Sequence, residues 1–163
     1  MLKHYILAVL LALPLGAWGQ TTYTFDFNDL SDGDLIEYNT VLGWVQMQAT
    51  DQGKDGTTGA ITSSLGSQIV SNGDFITGLS FFFKGPNTVN VKYLDSQQQQ
   101  IGLQESVTRD NEGFFEHTFT VPEGTTIVDL GNSNTVFDDL VVIVGSEDDC
   151  RSDSSLLFGR ECK

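Results

Sequence analysis

Apolar and polar residues alternate with a period of two along most of this chain. Phe25 and Phe27 are interleaved with Asp26 and Asn28, Val45, Met47 and Ala49 with Trp44, Gln46 and Gln48, and Val89, Val91 and Tyr93 with Asn90 and Lys92. Successive side chains of an extended chain point to opposite faces, so the pattern predicts strands with one face buried. ITGLSFFFKG, QIGLQES, GFFEHTFTV and NTVFDDLVVIVG are further strand candidates, and turn clusters such as SDGD, DQGKDG, SNGD, DNEG and GNSN separate them. No segment sustains a 3.6-residue pattern. Residues 21–145 therefore predict one all-β domain, a two-layer sandwich or barrel. The QQQQ run at 97–100 falls where a hairpin tip is expected.

The two ends read differently. Lys3 and His4 precede an apolar run from Tyr5 to Leu13, followed by Pro14 and the small residues Ala17 and Gly19. That is the layout of an export signal occupying residues 1–20, too short to span a bilayer, and it predicts a secreted chain with no membrane insertion. Removing it takes away Lys3 and no acid, leaving 7 Lys and Arg against 22 Asp and Glu, a formal charge of −15. Such a chain repels nucleic acid and anionic membrane surfaces and favours cations, calcium among them. The only cysteines, Cys150 and Cys162, fall in the segment 146–163. In an oxidising compartment they are expected to pair and close a local loop, leaving the main domain to rely on its own core.

Two features bear on chemistry. Asp138 and Asp139 sit side by side in the β-branched run NTVFDDLVVIVG. Burying an unpaired carboxylate costs several kcal/mol, roughly what decides whether a small domain folds, so these acids must be paired, hydrogen-bonded at a strand edge, or bound to a cation. Alternation also places Trp44, Gln46 and Gln48 on the face opposite Val45, Met47 and Ala49. It turns Phe82, Lys84 and Lys92 away from the core residues Leu79, Phe81, Phe83, Val91 and Tyr93. Aromatic faces beside amides and charges are what glycan recognition uses, which makes Trp44, Gln46, Gln48, Phe82 and Lys92 the candidate ligand-binding residues; the alternative is that Trp44 fills the core with the phase inverted and the disulfide-closed tail covers Phe82. No nucleophile elbow, zinc motif or phosphate loop is present. The one histidine after the signal, His117, shares the phase of Phe115 and Phe119, as a hydrogen-bonded core or edge residue would. The chain is not expected to be an enzyme.

TFDFNDLSDGDL, ITGLSFFFKGPNTVNVKYLDSQQQQIG and GFFEHTFTVPEGTTIVDLGNSNTVFDDLVV, in that order, resemble the jelly-roll modules of the galactose-binding-domain-like group, which includes many carbohydrate-binding modules of secreted glycan-degrading enzymes. The resemblance implies a single antiparallel β-sandwich of jelly-roll type. It also implies a structural calcium ion tying the first strand to the last, held by positions that match Asp26, Asn28, a carbonyl of the DQGKDG loop, and Asp138. Asn28 departs from the glutamate usual there and removes one charge from the set. The alternative for Asp138 is that it caps a turn or accepts backbone N–H bonds. Two functions follow as expectations: a monomeric, non-catalytic module that binds an extracellular glycan or surface polysaccharide, or a structural or adhesive surface sandwich without a specific sugar.

Overall fold

The computed structural model describes residues 20–36, 42–45, 47–62, 66–131 and 135–145; the side chains of Trp44 and Val45 lie outside the described set. Residues 1–19 of the expected signal, Gln46, and the segment with Cys150 and Cys162 also lie outside it. The strands are β1 (Gln20–Phe25), β2 (Leu42–Val45), β3 (Met47–Thr50), β4 (Gly59–Thr62), β5 (Gln68–Ser71), β6 (Phe75–Leu94), β7 (Glu105–Phe119), β8 (Ile127–Asp129) and β9 (Val136–Gly145). All the pairings between them are antiparallel. The chain thus has the all-β jelly-roll sandwich that alternation and resemblance predicted, made by one sheet that curls into two layers.

β6 is the strand that belongs to both layers. Its first half lies between β9 and β7, and its last three residues, Lys92, Tyr93 and Leu94, pair with β8. Layer A is therefore β7, β6 and β9, with β1 and β4 sharing the far edge of β9 and β3 beyond β4; layer B runs from the end of β6 through β8 and β5 to β2. The core between them is aromatic. Phe81 stacks on Phe119 at 4.8 Å between ring centroids and tilts against Phe137 at 5.5 Å, and Phe83, Val91, Val128 and Leu140 are all fully buried around it. Offset and edge-on ring pairs contribute about 0.5–1.5 kcal/mol each beyond the area they bury, which favours this one arrangement of layers over a slipped one.

The local departures from simple alternation matter most for the site. β1 ends at Phe25, so Asp26 and Asn28 do not share a strand face as expected. Phe27 instead adopts φ +58, is buried, and meets Phe137 edge-on at 6.0 Å, while the Asn28 N–H donates to Asp26 Oδ1 at 3.3 Å. Burial of the Phe27 ring is what turns the chain there. The run from Trp44 to Gln48 is divided between layers: Trp44 pairs with Ile69 in layer B, and Gln48 with Ile61 in layer A. The strand expected over QIGLQES begins only at Glu105, and Leu103 is 88% exposed. The QQQQ run does lie in the connection between β6 and β7, where Gln98 N–H closes a turn on the Asp95 carbonyl.

A side-chain clasp holds the two ends of β7 together. Glu105 at its start accepts hydrogen bonds from the Tyr93 hydroxyl at 3.1 Å and the Thr120 N–H at 3.1 Å, and pairs with His117 Nε2 at 2.8 Å. His117 in turn lies edge-on to Phe119 at 4.6 Å, the hydrogen-bonded placement its phase predicted. Burial alone would raise the Glu105 carboxyl, but the hydrogen bonds from His117, Thr120 and Tyr93 hold it below the ordinary glutamate value of 4.5. Burial and the same carboxylate push the Tyr93 phenol well above its usual range. A carboxyl depressed by folding adds stability above its unfolded pKa and loses it as pH falls through the lower folded value. In thermal melts, Glu105→Gln should therefore melt below wild type at neutral pH, and the gap should close as pH drops below about 4.5. A gap that stays constant down to about pH 3 would show that Glu105 acts through packing rather than charge.

Candidate functional site

The outer face of layer A gathers most of the chemistry. Phe82 and Lys84 project outward from β6 because Phe81 and Phe83, their alternating neighbours, fill the core. On β7, Glu116 is opposite Phe82 and Phe114 is opposite Lys84, which places Phe114 diagonal to Phe82 on the same face, about 7–8 Å away for such neighbours. Both phenylalanines are half-buried. On β9 the register explains the paired aspartates. Ser80 pairs with Val141 but Phe82 pairs with Asp138, so Asp139 and Leu140 together oppose Phe81 in a β-bulge. Asp139 takes φ +47, a conformation aspartate tolerates better than most residues. The extra residue inverts the phase: Phe137 and Leu140 both face the core, and Asp138 faces out beside Phe82.

Asp138 is nevertheless only 2% exposed, because the loop between β3 and β4 lies over it. Its Oδ2 accepts the Lys54 N–H at 2.9 Å and lies 3.0 Å from the Thr57 hydroxyl, whose one proton is shared between it and the Lys54 carbonyl oxygen, and its Oδ1 accepts the N–H of Asp139 at 2.8 Å. Two glycines shape this contact, Gly59 at the start of β4 against β9 and Gly53 within the loop's own turn. A Cβ on Gly59 would sit 2.8 Å from the Phe137 carbonyl oxygen, and one on Gly53 would sit 2.6 Å from that of Thr57. The Lys54 side chain completes the arrangement. Its ammonium pairs with the Asp139 carboxylate and lies over the Phe82 ring, 3.9 Å from the centroid. The hydrogen bond to Asp139 holds the Lys54 ammonium above the ordinary lysine value despite the cost of burial. Further along the rim, Lys84 Nζ donates to Gln52 Oε1 at 3.4 Å.

The expected site residues distribute as follows. Phe82 and the exposed Gln48 both belong to the outer face of layer A, with Gln48 two strands beyond β9. Lys92 faces out from layer B, opposite Asp129. Trp44 occupies the position opposite Ile69 in layer B, with its side chain outside the described residues, as is Gln46. Asp138 sits in the arrangement above, whereas Asp26 and Asn28 are exposed in the turn after β1. Among the described residues no group of three or more His, Cys, Asp or Glu side chains is placed to hold a metal ion. The donor chemistry at Asp138 does not fit calcium either: three hydrogen-bond donors face its oxygens, and an ammonium faces its neighbour.

Lys54, Gln52, Thr57 and Phe114 were not singled out in the sequence. Phe114 could have been, since GFFEH puts one of its two phenylalanines outward whichever phase holds. The resemblance did bring the DQGKDG loop to Asp138, but as a carbonyl ligand; that it meets the acids through the Lys54 N–H and ammonium depends on the bulge.

Asp138→Ala should strand the Lys54 N–H and the Thr57 hydroxyl under the loop and destabilise the fold by about 3 kcal/mol or more in chemical denaturation. Asp139→Asn keeps the left-handed geometry and should cost much less. Equal losses would mean that the bulge geometry, rather than Asp138's hydrogen bonds, holds the loop.

No family model matches the chain, and no curated protein matches it. Solved structures do. A family 29 carbohydrate-binding module variant complexed with cellulohexaose is similar over 82% of this chain and 97% of its own length, with 14% sequence identity and a TM-score of 0.51. A second variant of that module, complexed with mannohexaose, covers 80% of this chain and 96% of its own at 14% identity and a TM-score of 0.49. The N-terminal modules of a Clostridium thermocellum endo-1,4-β-D-xylanase 10B, complexed with xylohexaose, align over 72% of this chain and 28% of that one, at 17% identity and a TM-score of 0.35. The chain has the jelly-roll fold of a carbohydrate-binding module.

Proposed function

We propose that this chain is an exported, non-catalytic carbohydrate-binding module that holds a glycan against the outer face of layer A around Phe114 and Phe82. The observation that carries the reading is the composition of that face: two half-buried phenylalanines diagonal to each other, with Lys84, Gln52 and Glu116 around them. Flat apolar rings stack on the apolar side of a pyranose, and an amide, an ammonium and a carboxylate at the rim read its hydroxyls. Phe114 is the freer platform of the two, since the Lys54 ammonium already lies over the Phe82 ring. The module complexed with cellulohexaose, which has a similar fold, supports a β-linked hexose chain as the first ligand to try. Lys3, His4 and the apolar run from Tyr5 support export, which would also put Cys150 and Cys162 where they oxidise to a disulfide.

Titration calorimetry with cellohexaose and mannohexaose, preceded by a glycan array, tests this. Phe114→Ala should weaken binding by about thirtyfold, the loss of about 2 kcal/mol expected for a central aromatic contact, while leaving the melting temperature almost unchanged. If Phe114→Ala and Phe82→Ala bind as wild type does and Trp44→Ala does not, the site belongs to layer B. If no glycan on the array binds, the structural or adhesive reading replaces this one.

A further inference from the structure

We infer that Lys54 is a built-in cation: its ammonium takes the position between the β3–β4 loop and the β9 bulge that a divalent ion would otherwise have to fill, so the fold closes without calcium. This inference shares Phe82 with the proposed glycan face but does not depend on sugar binding there. The need for a positive group arises from the bulge, which sends two consecutive carboxylates, Asp138 and Asp139, to the same outer side of β9. Asp138 is nearly fully buried there, and every hydrogen-bond donor to it is neutral: two backbone N–H groups and a hydroxyl. Neutral donors satisfy the lone pairs of a carboxylate but leave its charge in place.

The remaining charge is met from the chain itself. Lys54 brings its N–H to Asp138 and its ammonium to Asp139, so one residue serves both acids. The Phe82 ring beneath the ammonium adds a third attraction and fixes its position. Asp55, next in the loop, is exposed, so the loop offers no inward carboxylate that would complete an oxygen cage. A calcium ion takes six to eight oxygens, whereas what surrounds Asp138 and Asp139 is N–H, O–H and N–H₃⁺.

Melting curves of the intact chain decide the matter. Wild type should melt within about 1 °C in calcium chloride, in magnesium chloride and in chelator at matched ionic strength. Lys54→Met keeps the backbone N–H and most of the side-chain volume but removes the charge, and it should melt about 3–6 °C lower. Lys54→Arg should recover most of that loss, because a guanidinium also binds carboxylates and stacks on aromatic rings. A wild-type melting temperature that falls on chelation and is restored by calcium alone would overturn the inference. So would a Lys54→Met protein that melts as wild type does. If Lys54→Met proves too unstable to purify while Lys54→Arg folds, the charge requirement is upheld; if both fail to fold, the site needs lysine for its shape and the inference falls.

Discussion

A carboxylate kept out of water on the outer side of a strand must be given donors, and at Asp138 those donors come from a loop about eighty residues earlier in the chain. The Lys54 N–H and the Thr57 hydroxyl reach it because Gly59 lets the start of β4 approach β9 and Gly53 lets the loop fold tightly on itself. That contact fixes the β3–β4 hairpin against the edge of β9, below the point where β1 takes over the same edge. The loop also carries Gln52 to Lys84 and the Lys54 ammonium to Phe82, so the rim of the aromatic face is set by the same interaction. The hairpin's placement and the lining of the aromatic face thus share one buried acid.

The charge distribution follows the same geography. In a chain with a formal charge of −14, the described residues contain four basic side chains, Lys54, Lys84, Lys92 and Arg109. Three lie on β6 or β7, and the fourth reaches over Phe82 from the loop. The β6–β7 hairpin thus carries three of these cations beside the acids Asp95, Glu105, Asp110, Glu112 and Glu116, so it remains acidic itself. A surface of this kind repels a polyanion, which would meet the field of the whole molecule.

Much of this was legible in the sequence. Period-two alternation located the buried face of β6 correctly, with Phe81, Phe83, Val91 and Tyr93 inside and Phe82, Lys84 and Lys92 outside, because β6 changes phase only between Ile76 and Leu79, before these residues. Alternation failed where the backbone leaves regular pleating. At Phe27 a left-handed residue ends the strand, at Asp139 a bulge inserts a residue, and between Val45 and Met47 the chain changes layers. Strands of three or four residues, such as β4, β5 and β8, carry too few side chains to display a period at all. For the paired aspartates, the reading that Asp138 accepts backbone N–H bonds was available from the sequence, whereas the bulge that turns it outward and the Lys54 ammonium that meets Asp139 were not.

The position of β9 in layer A has a consequence for how the chain is made. This strand, near the end of the described residues, is hydrogen-bonded to β1, β4 and β6, and so it is the central member of a layer whose other strands all precede it. A nascent chain that has emerged only as far as β8 can form the β6–β7 hairpin, but β1 and the β3–β4 hairpin have nothing to attach to. Layer A then condenses in one late step, dominated by pairings between residues far apart in sequence, which is a slow class of folding reaction. Until that step the apolar residues of β1 and β4 lack the strand that buries them, and Val136–Gly145 completes both pairings together.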